Sequence, residues 1–201
     1  MLFPASRASS AKVLWSRAWC SSTTVSSRYS AAAVGATGGV GSFAIQLAAG
    51  RGATVIATGL PEDEETLRGL GAAEMIDYSG DVPAAIGERH PDGIDGVIDL
   101  ATRDPDAFDR LARHVRAGGR VASSIGVADV GGLAKREVKA TNLNAQADTS
   151  GFEKVLAAAG EGRLRIPVER VFSLEDVPQG LELLASGTAR GKFVVRVGSE
   201  S

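Results

Sequence analysis

One glycine-rich stretch, Val34-Gly35-Ala36-Thr37-Gly38-Gly39-Val40-Gly41, runs straight into an apolar helix and constrains the chain more than any other segment. Where a strand passes into a helix beside an anion, bare backbone N–H groups must come close to it, and any Cβ holds it away. In the spacing G-x-G-x-x-G the three positions fall on Ala36, Gly38 and Gly41, so alanine replaces the first glycine while the approach and helix-packing glycines remain. Behind the turn, Val40, Ala44, Leu47 and Ala48 form an i, i+4, i+7, i+8 stripe. Gly50-Arg51-Gly52 then ends the helix ahead of the β-run Thr54-Val55-Ile56-Ala57-Thr58. Strand, glycine turn, helix and strand make a βαβ unit able to seat a pyrophosphate. The competing reading is a purely structural tight turn, since a chain with 25 glycines reaches such a trio by chance.

From Val34 onward strands and helices alternate. Pro61 opens a helix whose first turn carries Glu62, Asp63, Glu64 and Glu65, which suits the helix dipole, and Leu67 and Leu70 face inward. A short strand Glu74–Asp77 follows, then a polar helix around Val82–Arg89 and a strand Ile94–Leu100. Asp104-Pro105 caps a helix with the stripe Phe108, Leu111, Ala112 and Val115, and Gly118-Gly119 turns the chain into the strand Arg120–Ile125. Glu137–Asn144 offers a sixth strand. Capping-box patterns at Ser150 and Ser173 precede two further helices, and Lys192–Val197 is a terminal strand. Crossovers too long for hairpins imply a doubly wound parallel sheet, an α/β Rossmann fold, over residues 31–197, with 198–201 as a tail.

With 201 residues, 44% hydrophobic and 23% charged, the chain is sized for one good core. A net charge of −2 argues against a polyanion-binding surface, so no nucleic acid is expected, and no apolar run reaches membrane-spanning length. Cys20 is the sole cysteine and His90 and His114 the sole histidines, so no Cys/His metal spacing exists and no metal site is expected. Both histidines read as ordinary surface residues. Residues 1–30 differ from the body: they hold Arg7, Lys12, Arg17 and Arg28 and no acid, the first carboxylate being Glu62. This leader is expected to be disordered. A cytoplasmic location is the default, and a mitochondrial one follows if the leader is a transit peptide.

Several motifs in order resemble the cofactor half of medium-chain dehydrogenase/reductases, and most closely the zinc-free quinone oxidoreductases. They are Gly35-Ala-Thr-Gly-Gly-Val-Gly41 with Gln46-Leu-Ala, Leu70-Gly-Ala with Ile76-Asp-Tyr78, Gly93-Ile-Asp-Gly-Val-Ile-Asp99, Gly118-Gly-Arg-Val121, and Gly162-Arg-Leu-Arg with Arg190-Gly-Lys-Phe-Val-Val195. The resemblance implies an alcohol dehydrogenase-like, NAD(P)H-dependent oxidoreductase whose parent reaction is hydride transfer to a quinone or conjugated carbonyl, with a small-molecule substrate and room for a homo-oligomer. The family's GroES-like domain, which supplies most of its substrate cleft, has no counterpart before Ala31. The chain alone is therefore expected to be a poor enzyme, and no catalytic residue is assigned.

For the cofactor, the resemblance points to Thr37, Gly38, Gly39, Val40 and Gly41 at the pyrophosphate. It places Thr58 and Tyr78 at the adenosine end, Thr102, Ile125 and Gly126 toward the nicotinamide, and Lys192 nearby. Asp99 lies at the same strand end as Thr102. NAD-specific folds usually carry an acid about twenty residues beyond the first glycine. None lies between Ala36 and Leu60, where Thr58-Gly59 leaves room for a 2′-phosphate, so NADP is favoured with NAD as the alternative. Glu62–Glu65 oppose that choice, and the nearest cation, Arg68, is also placed to pair with Glu64 on a helix surface. Two other readings stay in view, a non-catalytic dinucleotide-binding fragment and an atypical short-chain dehydrogenase. The latter lacks its Tyr-x-x-x-Lys, since Ala33 follows Tyr29 and Val82 follows Tyr78 at that spacing.

Overall fold

The computed structural model describes residues 29–145, 148–187, 189 and 191–198. The sequence reading of the leader falls on residues outside these, except at its edge. There Tyr29 donates to the Asp95 carbonyl, and Ser30 already starts the first strand. Six parallel strands form the main sheet: β1 (Ser30–Val34), β2 (Thr54–Gly59), β3 (Glu74–Asp77), β4 (Ile94–Asp99), β5 (Val115–Ser123) and β6 (Lys139–Asn142). Their spatial order is β3-β2-β1-β4-β5-β6, the doubly wound order, and the chain reverses direction across the sheet between β1 and β4.

Central β1 is almost all alanine, where branched residues would be the ordinary expectation for a strand. Ala31, Ala32 and Ala33 are each at most 2% exposed, with Ala32 in the core on one face and Ala33 on the other. Small side chains are what a strand covered on both faces needs when a helix must approach closely. That helix is α1 (Gly41–Ala49), which buries Gly41, Ser42, Ala44, Ile45 and Ala48. The buried stripe is thus turned by one residue from the sequence reading. Val40 stands 60% exposed at the helix start, and Leu47 is half-buried.

A single 3₁₀ turn, Pro61–Asp63, leads into α2 (Glu64–Gly69). Helices α3 (Val82–Arg89) and α4 (Pro105–Ala112) pack on the other face, where Phe108, Leu111 and Ala112 are buried with Ile56, Ile86, Val97 and Val121. Below the sheet, Asp95 accepts from the Ser30 N–H (2.7 Å) and hydroxyl (3.2 Å) and pairs with Arg116, fixing where the chain enters β1. Burial, and then the nearby Asp95 charge, push the Tyr29 phenol above its usual pKa.

Beyond β5 come α5 (Val130–Lys135), β6, α6 (Thr149–Gly160), β7 (Val168–Phe172), α7 (Val177–Ala185) and β8 (Lys192–Val195). Neither α5 nor β7 was legible as an element, and β8 pairs with β7 in a separate two-stranded parallel sheet instead of joining the main one. The α6 cap is Asp148, which accepts from the Ser150 N–H (3.2 Å), so the cap lies two residues before Ser150, which is itself inside the helix. At the other pattern, Ser173 donates its hydroxyl to the Asp176 carboxylate (2.8 Å) and accepts from the Asp176 N–H (3.3 Å), but the cap of α7 is Asp176, so Ser173 forms a turn ahead of the helix and not its capping box.

Candidate functional site

In an open α/β sheet, ligands bind outside the carboxyl ends of the strands where the order reverses. The turn leaving β1 lies at that point. Its tight corner is made by Gly35, whose φ of 78° only glycine adopts without strain, so the turning role falls on Gly35 and not on Ala36, which is fully buried. Gly41 serves packing: a Cβ there would fall on the Gly35 carbonyl oxygen and 2.7 Å from Ala36 Cα. Gly38 donates its N–H to the Gly35 carbonyl (3.2 Å) and accepts from the Ser42 N–H (3.0 Å). Its own amide is therefore spent inside the turn. A Cβ on it would meet only the Gly35 oxygen, at 3.4 Å, and otherwise open space. Among the described residues no acceptor meets the N–H groups of Gly39 and Val40, which stand at the positive end of the α1 dipole.

Lys192 comes to this turn from the far end of the chain. Its ammonium lies 5.1 Å over the Phe43 ring, and a Cβ on Gly39 would stand 3.0 Å from its Nζ. The approach depends on Gln46, a residue sequence reasoning passed over except as part of a motif. Its side chain both donates to the Arg165 carbonyl (2.9 Å) and accepts from the Arg165 N–H (2.7 Å), fastening α1 to the segment that leads into β7. Lys192 N–H in turn donates to the Pro167 carbonyl (2.9 Å). A cation thus approaches the turn that carries two amides without acceptors among the described residues, a combination suited to a pyrophosphate.

At the end of β2, Thr58, expected near an adenosine, has its hydroxyl engaged within the protein. It is 2% exposed, and its hydroxyl accepts from the Gly35 N–H (3.2 Å) and donates to the Ala33 carbonyl (3.5 Å), so it holds the glycine turn against β2. Gly59 ends the strand. Asp63, 4% exposed, turns back to accept from the Leu60 N–H (2.9 Å), and a Cβ on Gly59 would lie 3.2 Å from Asp63 Cβ. Thr37 and Ser42 face Asp63 and Thr66 across a cavity of about 150 Å³. Arg68 is committed to Glu64 (2.8 Å) and to the Ala73 carbonyl (3.0 Å). Tyr78, 49% exposed, donates its N–H to the Gly59 carbonyl (3.4 Å), beside the end of β2.

At the opposite end, Asp99 is fully buried at the tip of β4. It accepts from the Thr102 N–H (3.0 Å) and the Ser123 hydroxyl (3.0 Å). Ser123, also fully buried, accepts from the N–H groups of Ile125 (3.2 Å) and Gly126 (3.3 Å). Those two amides therefore point inward, leaving the Ile125 side chain, 40% exposed, on the outer surface. Ser123 carried no sequence signal, because a serine inside a strand run reads as an ordinary polar position. His90 pairs with Glu74 (3.1 Å) and the His114 ring packs beside Gly87, and neither side chain joins these contacts. Among the described residues no three His, Cys, Asp or Glu side chains gather to hold a metal ion.

Comparison with known proteins agrees with this fold. The zinc-binding dehydrogenase family matches residues 70–195. Curated relatives include a mitochondrial NAD(P)H oxidoreductase, RTN4IP1, of Danio rerio, 29% identical over 82% of this chain and 48% of that protein. Another is the trans-enoyl reductase pgmF of Aspergillus terreus, 26% identical over 81% and 50%. Among solved structures, the quinone oxidoreductase from Coxiella burnetii superposes with a TM-score of 0.74 at 29% identity, covering 85% of this chain and 53% of that one. The chain spans about half the length of these relatives, and the described residues do not fit the zinc site that the family's name implies. The chain belongs to the zinc-binding dehydrogenase family of medium-chain dehydrogenase/reductases, and the part it contains is the cofactor-binding region.

Proposed function

We propose that this chain binds a nicotinamide dinucleotide as the cofactor-holding half of an oxidoreductase that transfers hydride to a quinone or conjugated carbonyl. The observation that carries the reading is the approach of Lys192 Nζ to Gly39 at the turn after β1, where the Gly39 and Val40 amides have no acceptor among the described residues. The dinucleotide supplies the hydride chemistry. Gly39, Val40 and Lys192 would hold its pyrophosphate, with Gly38 and Gly41 shaping the turn. Tyr78 would flank the adenosine, Thr37 the space beside the turn, and Thr102, Ile125 and Gly126 the nicotinamide half. Thr58 would act on the ligand only through the turn it holds.

NADP(H) is the preferred cofactor in this reading, because Gly59 closes β2 without a carboxylate of its own and Tyr78 is open to a ligand. The acids at 62–65 make the choice a real test. Titrating the purified chain with NADPH and NADH by fluorescence should give saturable binding of both, tighter for NADPH. Tighter NADH binding reverses the cofactor assignment, and no binding of either overturns the function. In the substrate class, the relatives named as a quinone oxidoreductase and a trans-enoyl reductase support a conjugated acceptor. The mitochondrial relative supports a mitochondrial address, which expression of the chain fused to a fluorescent protein would check.

A further inference from the structure

Two buried polar side chains lie beneath the nicotinamide end of this site and touch nothing outside the protein. Asp99 has no cationic partner among the described ion pairs. A fully buried carboxylate is tolerable only when donors surround it. Those donors are the Thr102 N–H, the Ala101 N–H (3.4 Å) and the Ser123 hydroxyl (3.0 Å). The Ser123 hydroxyl gives its one proton to Asp99, and its two oxygen lone pairs take the amides of Ile125 and Gly126 (3.2 and 3.3 Å). The Asp99 carbonyl adds a bond from the Ser124 N–H (2.9 Å). One carboxylate thus ties the loop after β4 to the loop after β5.

We infer that Asp99 and Ser123 are positioning residues for the nicotinamide half of the dinucleotide, setting the shape of the 100–102 and 124–126 loops against which the ring and its carboxamide rest. This rests on the dinucleotide reading above. The polarity of the network decides the geometry. With the hydroxyl proton drawn to Asp99, the Ile125 and Gly126 amides are pulled inward and Ile125 is turned outward as an apolar shelf. Gly126, at φ 88°, supplies the backbone conformation that lets the loop double back. Without the Ser123 oxygen, both amides lose their acceptor and the shelf loses its fixed position. Gly35 of the glycine turn packs against Leu100 and Ala101, but the Gly39 and Val40 amides and the Lys192 ammonium make no hydrogen bond to Asp99 or Ser123.

The test therefore separates the two halves of the ligand. Ser123→Ala and Asp99→Asn in the full chain would be titrated with NADPH and with 2′,5′-ADP, which lacks the nicotinamide. Saturation-transfer NMR would compare the nicotinamide H2 signal with the adenine H8 signal. The expected result is a loss of about 3- to 10-fold in NADPH affinity, the effect of one or two lost hydrogen bonds. Affinity for 2′,5′-ADP should be unchanged, and the H2 signal should fall relative to H8. Equal losses for both ligands, or an unchanged H2 to H8 ratio in both variants, would overturn the inference and make the pair merely structural. If the unaltered chain binds neither NADPH nor 2′,5′-ADP, the dinucleotide reading itself fails and takes the inference with it.

Discussion

Gly38 and Gly41 sit three residues apart and answer different demands, so replacing each should fail in a different way. A Cβ on Gly41 collides with the backbone of Gly35 and Ala36, which cannot move without breaking the strand-to-helix corner. Gly41→Ala should therefore cost stability, by about 1–3 kcal/mol as for overpacking elsewhere, and show it in a denaturant melt. A side chain on Gly38 meets open space, so Gly38→Val should fold and melt normally while its isopropyl group fills the volume a pyrophosphate needs. Unchanged NADPH affinity in a folded Gly38→Val variant would refute the phosphate site. Lys192 allows a second check at this scale. Its ammonium stacks on Phe43, and a structural cation–π contact alone would leave ligand affinity untouched when it is removed. As a pyrophosphate ligand it should contribute a charge-assisted bond, so Lys192→Met should weaken NADPH binding by about tenfold or more. The remaining affinity should also depend less on salt.

Helix α3 offers a prediction at the scale of the element, because its N-cap Asp81 accepts from the Ala84 N–H (3.1 Å) and pairs with Arg110 of α4 (2.9 Å). The Ala84 amide first, and then Arg110, hold the Asp81 carboxyl below the usual carboxylate range. A carboxylate with a depressed folded pKa stabilises the protein above its unfolded pKa, and that contribution is lost as pH falls through the folded value. Asp81→Ala should therefore melt at a lower temperature than the unaltered chain at neutral pH, and the gap should close in strong acid. A gap constant with pH would assign the effect to packing. The caps and the glycine turn were legible because they are local: Asp104-Pro105 reads correctly from two residues. What was not legible depends on partners distant in sequence. Alanines suit β1 only because helices cover both faces, and the α1 stripe is turned by the need to seat Gly41. Thr58 looked like a ligand residue from its place in the strand, yet its hydroxyl is claimed by Gly35 and Ala33. Nor does β7 alternate apolar and polar residues in a way that marks a strand, since only Phe172 is buried.

Across the whole molecule, apolar side chains divide unevenly between the two parts of the chain. The six-stranded sheet buries its core, whereas among the described residues α6 buries none of its side chains and α7 only Gly180. Phe152, Leu181 and Val197 are 63%, 60% and 78% exposed, and Val168, Val171, Val194 and Val195 of the small sheet are all at least 40% exposed. Exposed apolar surface of this extent calls for a cover, so the purified chain should self-associate as its concentration rises, which sedimentation velocity would detect. The same exposure bears on catalysis. Hydride transfer needs the acceptor held at near-contact distance from the nicotinamide, in a site shielded from water, and that positioning supplies a large part of the rate. The residues proposed for the nicotinamide end, Thr102, Ile125 and Gly126, come from strand tips on one side only, and Ile125 faces outward. Steady-state assays of the 201-residue chain with quinones and enones should accordingly give turnover near the uncatalysed background even where NADPH binding is saturable. Turnover on the order of 1–10³ per second, ordinary for an enzyme, would show instead that the α6 to β8 region, or a second copy of the chain, closes the site.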